Sequence, residues 1–360
     1  MSGARRPLHV LVIVGGRSAE HPISLRSGAT VVSALAGTPH RVTLVGITRD
    51  GLWLYGDIGP QLERARTQIL DLDPTGLRPV TLGWDGSATR LLPIKGPPLE
   101  PAVDPIDVVF PMLHGPNGED GTVQGLLESV RVPYVGAGTT ASALAMDKLA
   151  MKTLCAGAGL PQCEFLWARD HDATEVHNEI EAAFGYPCYV KPANLGSSVG
   201  VSRVKDRNEL AAALTEARLY DDRVLVERAV NAREIEIAVL GSRPVELSPV
   251  GEILPADGFY DFESKYVDAS AGLRAPTEVP APALARIREV ATAAWELIGG
   301  RGMARIDFFL ERGSDVVFLN EINTIPGFTQ ISMYPRLWGA AGLPLPELVE
   351  KLLALALQKR

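Results

Sequence analysis

GMARIDFFLERGSDVVFLNEIN, residues 302–323, reads as two strand-forming runs around the turn RGSD. Folded as a hairpin centred on Ser314, it sets Asp307 opposite Glu321 and Arg305 opposite Asn323, all on one face. Met303, Phe309, Val317 and Leu319 are then their apolar neighbours. Carboxylates directly opposed across a sheet repel, and unpaired charge in apolar surroundings is costly. A hard divalent cation reconciles them: Asp, Glu and Asn oxygens suit Mg²⁺, which keeps several waters and often shares its shell with phosphate oxygens. The competing reading, a solvated polar hairpin, fits the apolar flanks poorly. A single bulge would shift this register.

Upstream, KPANLGSSVG (191–200) follows an apolar strand. Gly196 and Gly200 free the backbone for a tight turn, Ser197 and Ser198 add hydroxyl donors, and Lys191 adds charge, which together make an anion cradle. It lacks the GxxxxGK tail of a P-loop, and taken alone it reads equally as a Gly-Ser hairpin turn. A phosphate cradle together with a Mg²⁺ platform implies a nucleoside triphosphate. In VLVERAVNARE (224–234), Glu227 and Glu234 are placed to meet a base and a ribose, although a glutamate on a solvated strand end is the simpler reading. Lys148 in MDK and Lys265 in FYDFESKY are, by themselves, ordinary surface lysines.

Further out, LHVLVIVGG (8–16), RVTLVGIT (41–48) and IDVVFPMLHG (106–115) are continuous apolar strands alternating with helices, the pattern of a parallel sheet covered on both faces. Such sheets bind ligands at the carboxyl ends of their strands, where GGRSAEH (15–21) and HGPNGEDG (114–121) place Glu20 and His114. Residues 71–105 carry seven prolines and are expected to be irregular surface structure. TTASALAMDKLAMKTLCAG (139–157) predicts one long helix opened by a capping threonine. A small α+β unit follows, with strands in CEFLWA, PCYVKPA, VSRV and VLVERAV and helices near 174–184 and 207–218. From REIEIAVLG onward a third unit holds a loop (256–276), a helix (282–298), the hairpin and a closing helix, PELVEKLLALAL.

Composition narrows the function. The 360 residues suit two or three domains at about 150 residues each. Lys and Arg number 35 against 43 Asp and Glu, so the net charge of -8 argues against a nucleic-acid surface. Cys155, Cys163 and Cys188 are odd in number and show no CxxC spacing, which argues against a disulfide framework or a zinc site and fits a reducing cytoplasm. Arg5-Arg6 before an apolar run mimics a signal peptide, but His9 interrupts the run and no cleavage motif closes it. No apolar stretch approaches the ~20 residues of a membrane span. GGRSAE lacks GxGxxG, which sets a dehydrogenase aside.

In order along the chain, GGRSAEHPISLRSG, HGPNGEDGTVQGLLE, VGAG with ASALAMDK, KPANLGSSVG, FYDFESKY, GMARIDFFL and NEINTIPGFTQIS closely resemble the D-alanine:D-alanine ligase family of the ATP-grasp superfamily. The resemblance runs from Leu8 to the last helix. It implies an α/β and α+β, three-domain ATP-grasp fold: an N-terminal parallel-sheet (pre-ATP-grasp) domain over 1–138, a central subdomain over 139–230, and a C-terminal subdomain over 231–360 with a lid at 257–275. It implies that ATP phosphorylates one D-alanine and that a second D-alanine displaces the phosphate, for peptidoglycan precursor synthesis.

Carried over by residue, the resemblance implies Lys148, Lys191 and Ser198 at the phosphates and Lys265 in the lid above them. Glu227 would accept from the adenine amino group and Glu234 would contact the ribose. Asp307, Glu321 and Asn323 would hold two Mg²⁺ ions, for which Mn²⁺ is a possible substitute. Arg305 would stabilise the acyl phosphate and the tetrahedral intermediate, Glu20 would bind the first ammonium, and Ser197 with Tyr266 would complete a triad with Glu20. His114 would lie beside the first D-alanine, and Gly327 with Ser332 would take the second carboxylate. The partners implied are D-alanine, ATP and a second copy of the chain. An intact Tyr266 leans toward an amine nucleophile, whereas Ile331 stands where some relatives carry a polar residue. Two alternatives remain open: a D-lactate or D-serine ligase of the same fold, and a non-catalytic nucleotide-binding module.

Overall fold

The computed structural model describes residues 6–99, 103–169, 172–196, 199–254 and 272–358. Strand β1 (His9–Gly15) is buried along its whole length and leads into helix α1 (His21–Leu35), with Glu20 at the N-cap position. The chain continues through β2 (Arg41–Ile47), β3 (Trp53–Tyr55), α2 (Gly59–Ala65), β4 (Arg78–Trp84), β5 (Thr89–Pro93), β6 (Val108–Pro111) and α3 (Thr122–Ser129). The sheet order is β5-β4-β3-β2-β1-β6. Only β2, β1 and β6 are parallel; β3, β4 and β5 join antiparallel, so the sheet is mixed. Because β1 and β6 are neighbours, the loops leaving their carboxyl ends, which carry Glu20 and His114, lie side by side.

Two local expectations are corrected here. The proline-rich stretch holds the β4–β5 hairpin, with Pro79 near the start of one strand and Pro93 at the end of the other, where a missing N–H is tolerated. The long helix is two, α4 (Thr139–Met146) and α5 (Lys148–Gly157). Asp147 adopts φ -82 and ψ 101, accepts a hydrogen bond from Ala150 N and caps α5, while Gly138 and not a threonine occupies the first N-cap. The break lets the Lys148 N–H donate to Ala193 O, 3.0 Å away at the end of the next unit's central strand.

That unit runs β7 (Phe165–Trp167), α6 (Ala173–Ala183), β8 (Cys188–Pro192), β9 (Ser202–Val204), α7 (Arg207–Arg218) and β10 (Val224–Arg228). Its antiparallel order is β7-β10-β8-β9. The last unit runs β11 (Ala232–Leu240), β12 (Glu246–Leu254), β13 (Gly272–Arg274), α8 (Ala281–Leu297), β14 (Met303–Glu311), β15 (Val317–Asn323), α9 (Met333–Ala340) and α10 (Leu345–Ala356). Its order is β13-β12-β11-β14-β15, and β13 occupies part of the stretch expected to be loop.

One face of this third sheet packs Ile306, Phe308 and Leu310 against Ile287, Val290 and Trp295 of α8 and against Ala141 and Met151 of α4 and α5. The other face joins α9, α10, α1 and β1 in a continuous apolar core, in which Met303 and Leu240 meet Tyr334, Leu352 and Leu25. Each such side chain contributes about 1.5–3 kcal/mol through burial. This shared core fixes the first sheet against the third. Among the described residues no helix is long and apolar enough to cross a membrane.

Candidate active site

The hairpin register holds where the acids lie: Asp307 pairs with Glu321 and Arg305 with Asn323. Toward the turn it slips, because a bulge leaves Asn320 without an opposite residue and Phe308 faces Leu319. Val317 and Leu319 therefore belong to the buried α8 face, not the acidic one, and Phe318 takes their place beside Phe309.

Glu236, on β11, stands opposite Asp307 and completes the acidic face. The Arg305 guanidinium forks onto both Asp307 oxygens, at 2.8 and 2.6 Å, and contacts Glu236 at 3.0 Å. Burial alone would lower the affinity of Arg305 for its proton, but the surrounding acids raise it well above the ordinary value. Arg305, on the same face, is thus an internal counter-cation to Asp307 and Glu236. Among the described residues no three His, Cys, Asp or Glu side chains converge as a metal cage. Two opposed carboxylates with the Asn323 amide form an oxygen-only donor set of the kind Mg²⁺ takes when phosphate and water complete its shell.

The second sheet supplies the cations. Lys191 stands opposite Leu225, one pleat from Glu227, so both point to one face, and Lys191 Nζ reaches Glu227 Oε2 at 2.5 Å. Lys152 of α5 pairs with the other oxygen, and both side chains are sealed, at 1% and 2% exposure. Burial pushes the Glu227 carboxyl up, but the two ammonium groups outweigh it and hold it at about 2. The Cys163 thiol is pushed up to about 12, first by burial and then by Glu227, and is inert. Lys148 Nζ donates to Leu195 O at the cradle's entrance. Glu234 lies half-buried on the Glu236 side of β11, opposite Phe309. Ser197, Ser198, Lys265, Tyr266 and lid residues 257–271 lie outside the described residues.

The first sheet closes the ring. Glu20 Oε2 sits 2.6 Å from where a Cβ on Gly115 would project and 3.5 Å from the corresponding point on Gly196, which puts it between its own loop pair and the cradle. Glu119 Oε1 accepts from Gly115 N at 2.7 Å. Burial, then the charge of Glu20, push the Glu119 carboxyl up to about 8, which favours its protonated form. The His114 ring lies near both Glu20 and Arg305, and its pKa is lowered chiefly by burial. A Cβ on Gly327 would meet Ser332 Oγ at 2.9 Å, so these two are adjacent, and the neighbouring Ile331 is 56% exposed. Lys191 and Glu119 both feel the charge of Glu321, which links three sheets electrostatically.

Sequence reading missed Lys152, Glu119 and Glu236. REIEIAV did carry a signal for the last, since Glu234 and Glu236 alternate onto one strand face. Lys152 sits within an ordinary helical pattern and has no such mark.

Residues 9–137 match the family model described as D-ala D-ala ligase N-terminus, and residues 154–354 match D-ala D-ala ligase C-terminus. The chain belongs to the D-alanine–D-alanine ligase family. Its members are ATP-dependent ligases of the ATP-grasp fold. A D-alanine–D-alanine ligase of Heliobacterium modesticaldum is 43% identical, covering 97% of this chain and 94% of the relative. The structure of the D-alanine–D-alanine ligase from Coxiella burnetii superposes with a TM-score of 0.83 at 35% identity, covering 98% of this chain and 94% of that one. The VanG D-Ala:D-Ser ligase from Enterococcus faecalis gives 0.85 at 34% identity, covering 98% and 100%.

Proposed function

We propose that this chain joins two D-alanines at the expense of ATP. The first carboxylate attacks the γ-phosphorus and releases ADP. The second amine attacks the acyl carbon, phosphate leaves, and the amine gives up a proton. The observation that carries this reading is the convergence of charged groups from three units: Glu20 Oε2 lies 3.5 Å from where a Cβ on Gly196 of the cradle would project, His114 feels both Glu20 and Arg305, and Lys191 feels Glu321. Lys148 and Lys191 fit a triphosphate, Glu227 an adenine amino group and Glu234 a ribose. Arg305 is placed to neutralise charge on the transferring phosphoryl group. Mg²⁺, bound by Asp307, Glu321 and Asn323 as two ions, would neutralise the phosphates further.

Glu20 would bind the first ammonium beside His114, and Gly327 with Ser332 the second carboxylate. Ser197, Ser198, Lys265 and Tyr266 would complete the cradle, the triad and the lid, which keeps an acyl phosphate from water. The same reading divides the chain at 138 and 230, and places it as a homodimer in a bacterial cytoplasm feeding peptidoglycan synthesis. A non-catalytic module is disfavoured because Glu20, Arg305, Asp307, Glu321 and Asn323 are all retained.

The test is ADP and phosphate release on adding D-alanine to enzyme with Mg²⁺ and ATP. Indifference to D-alanine overturns the proposal. The D-Ala:D-Ser neighbour keeps a second reading in view. Competition among D-alanine, D-serine and D-lactate across a pH series separates them, because an amine must be deprotonated to attack.

A further inference from the structure

Residues 324–328 are bound to the first sheet's loops and helix at three points. Thr324 Oγ1 donates to Glu119 O at 3.5 Å, Ile325 O meets His114 Nδ1 at 2.9 Å, and Phe328 N–H donates to Ser27 Oγ at 3.2 Å. Ser27 Oγ also lies 3.0 Å from His114 Nε2. Ser27 and His114 are both buried.

With the His114 ring neutral, the form its burial favours, the hydrogens of this hydrogen-bonded path are fixed. A carbonyl only accepts, so Nδ1 of His114 carries the ring hydrogen toward Ile325 O. The Phe328 N–H only donates, so Ser27 Oγ accepts from it and gives its own hydrogen to the Nε2 lone pair. The path closes with a neutral imidazole and with both ring nitrogens used. Its two ends, Ile325 O and Phe328 N, bracket Pro326-Gly327. Phe328, fully buried and edge-on to Phe110 with centroids 6.1 Å apart, anchors the far side.

We infer that Ser27 is a positioning residue for the second amino-acid subsite, holding through His114 the backbone that brackets Gly327. The inference rests on the reading of Gly327 and Ser332 as that subsite. Ser27 lies on α1, whose N-cap residue is Glu20, so a single rigid helix sets the distance between the two amino-acid subsites. His114 acts here by its shape and its two fixed hydrogen bonds, with no ring nitrogen left to accept a proton from substrate.

Ser27→Ala leaves the Phe328 N–H and the His114 Nε2 lone pair buried without partners, a loss that tells on the loop they hold. Initial-rate fits that resolve the first and second D-alanine should show the second KM raised about ten-fold or more, with the first KM and the ATP KM within two-fold of wild type. Ser27→Cys, nearly isosteric, should move the same constant in the same direction and serves if the alanine variant does not fold. Ser332→Ala is measured alongside. If it leaves the second KM unchanged, the subsite reading itself fails. If Ser332→Ala raises that KM while the Ser27 variants do not, or raise all three constants together, the positioning role fails.

Discussion

Lys152 and Glu227 form an ion pair sealed from solvent, contributed by a helix and a strand far apart in sequence. Lys191 holds the second carboxylate oxygen, so one anion sits between two ammonium groups. Removing a partner from a buried pair costs about 3–5 kcal/mol when no other remains, and the surviving Lys191 places Lys152→Met near the lower end. Urea unfolding should show a lowered midpoint that corresponds to about 3 kcal/mol of lost stability, and the Lys152→Met, Glu227→Gln double variant should recover part of the loss. An unchanged midpoint would mean the pair contributes nothing.

Glu119 gives a pH test of opposite sign from that of a paired carboxylate. Its folded-state pKa, about 8, lies above the ordinary glutamate value of 4.5. Between those limits the folded chain keeps a proton that the unfolded chain has released, so stability falls as pH rises, by at most about 1.4 kcal/mol per pH unit. Glu119→Gln, which mimics the protonated acid, should remove this slope in the metal-free protein and match wild type below pH 4.5. Parallel profiles for the two proteins would refute the neutral acid.

What the sequence made readable was local. The acids at 307 and 321 meet because strand alternation and a four-residue turn constrain their pairing near the site. The slip at Asn320 was not readable, because it lets Val317 and Leu319 join a core supplied by α8, which the hairpin's own residues do not encode. The helix break at Asp147 is not legible in the sequence because MDK is compatible with helix; Ala193, from another unit, takes the Lys148 N–H and makes the break favourable. Lys152 became visible only once α5 was placed on β10. Prolines at strand ends look like loop prolines until a neighbouring strand is known, which hid β4 and β5.

Gly115 is where a side chain would do most harm to the first amino-acid subsite. Its φ of +73 disfavours any L residue, and a Cβ would stand 2.6 Å from Glu20 Oε2. Since Gly115 N also holds Glu119, the backbone has little freedom to move away. Gly115→Ala should displace the Glu20 carboxylate and raise the KM for the first D-alanine by about ten-fold or more, with the ATP KM within two-fold. Equal damage to both constants would place Glu20 outside the amino-acid subsite.

Arg305→Lys keeps the charge and removes the fork. The guanidinium spans both Asp307 oxygens while touching Glu236, a planar arrangement that a single ammonium cannot reproduce. Because the positive charge remains inside the acidic face, the fold should survive, with a thermal midpoint within a few degrees of wild type. Turnover depends on where donors lie as charge develops on the transferring phosphoryl group, and losing one such donor typically lowers kcat by about 10²–10³. The expected result is therefore a fall of that size in kcat with nucleotide KM changed far less. A variant that turns over at the wild-type rate would show that Arg305 serves only to neutralise Asp307 and Glu236.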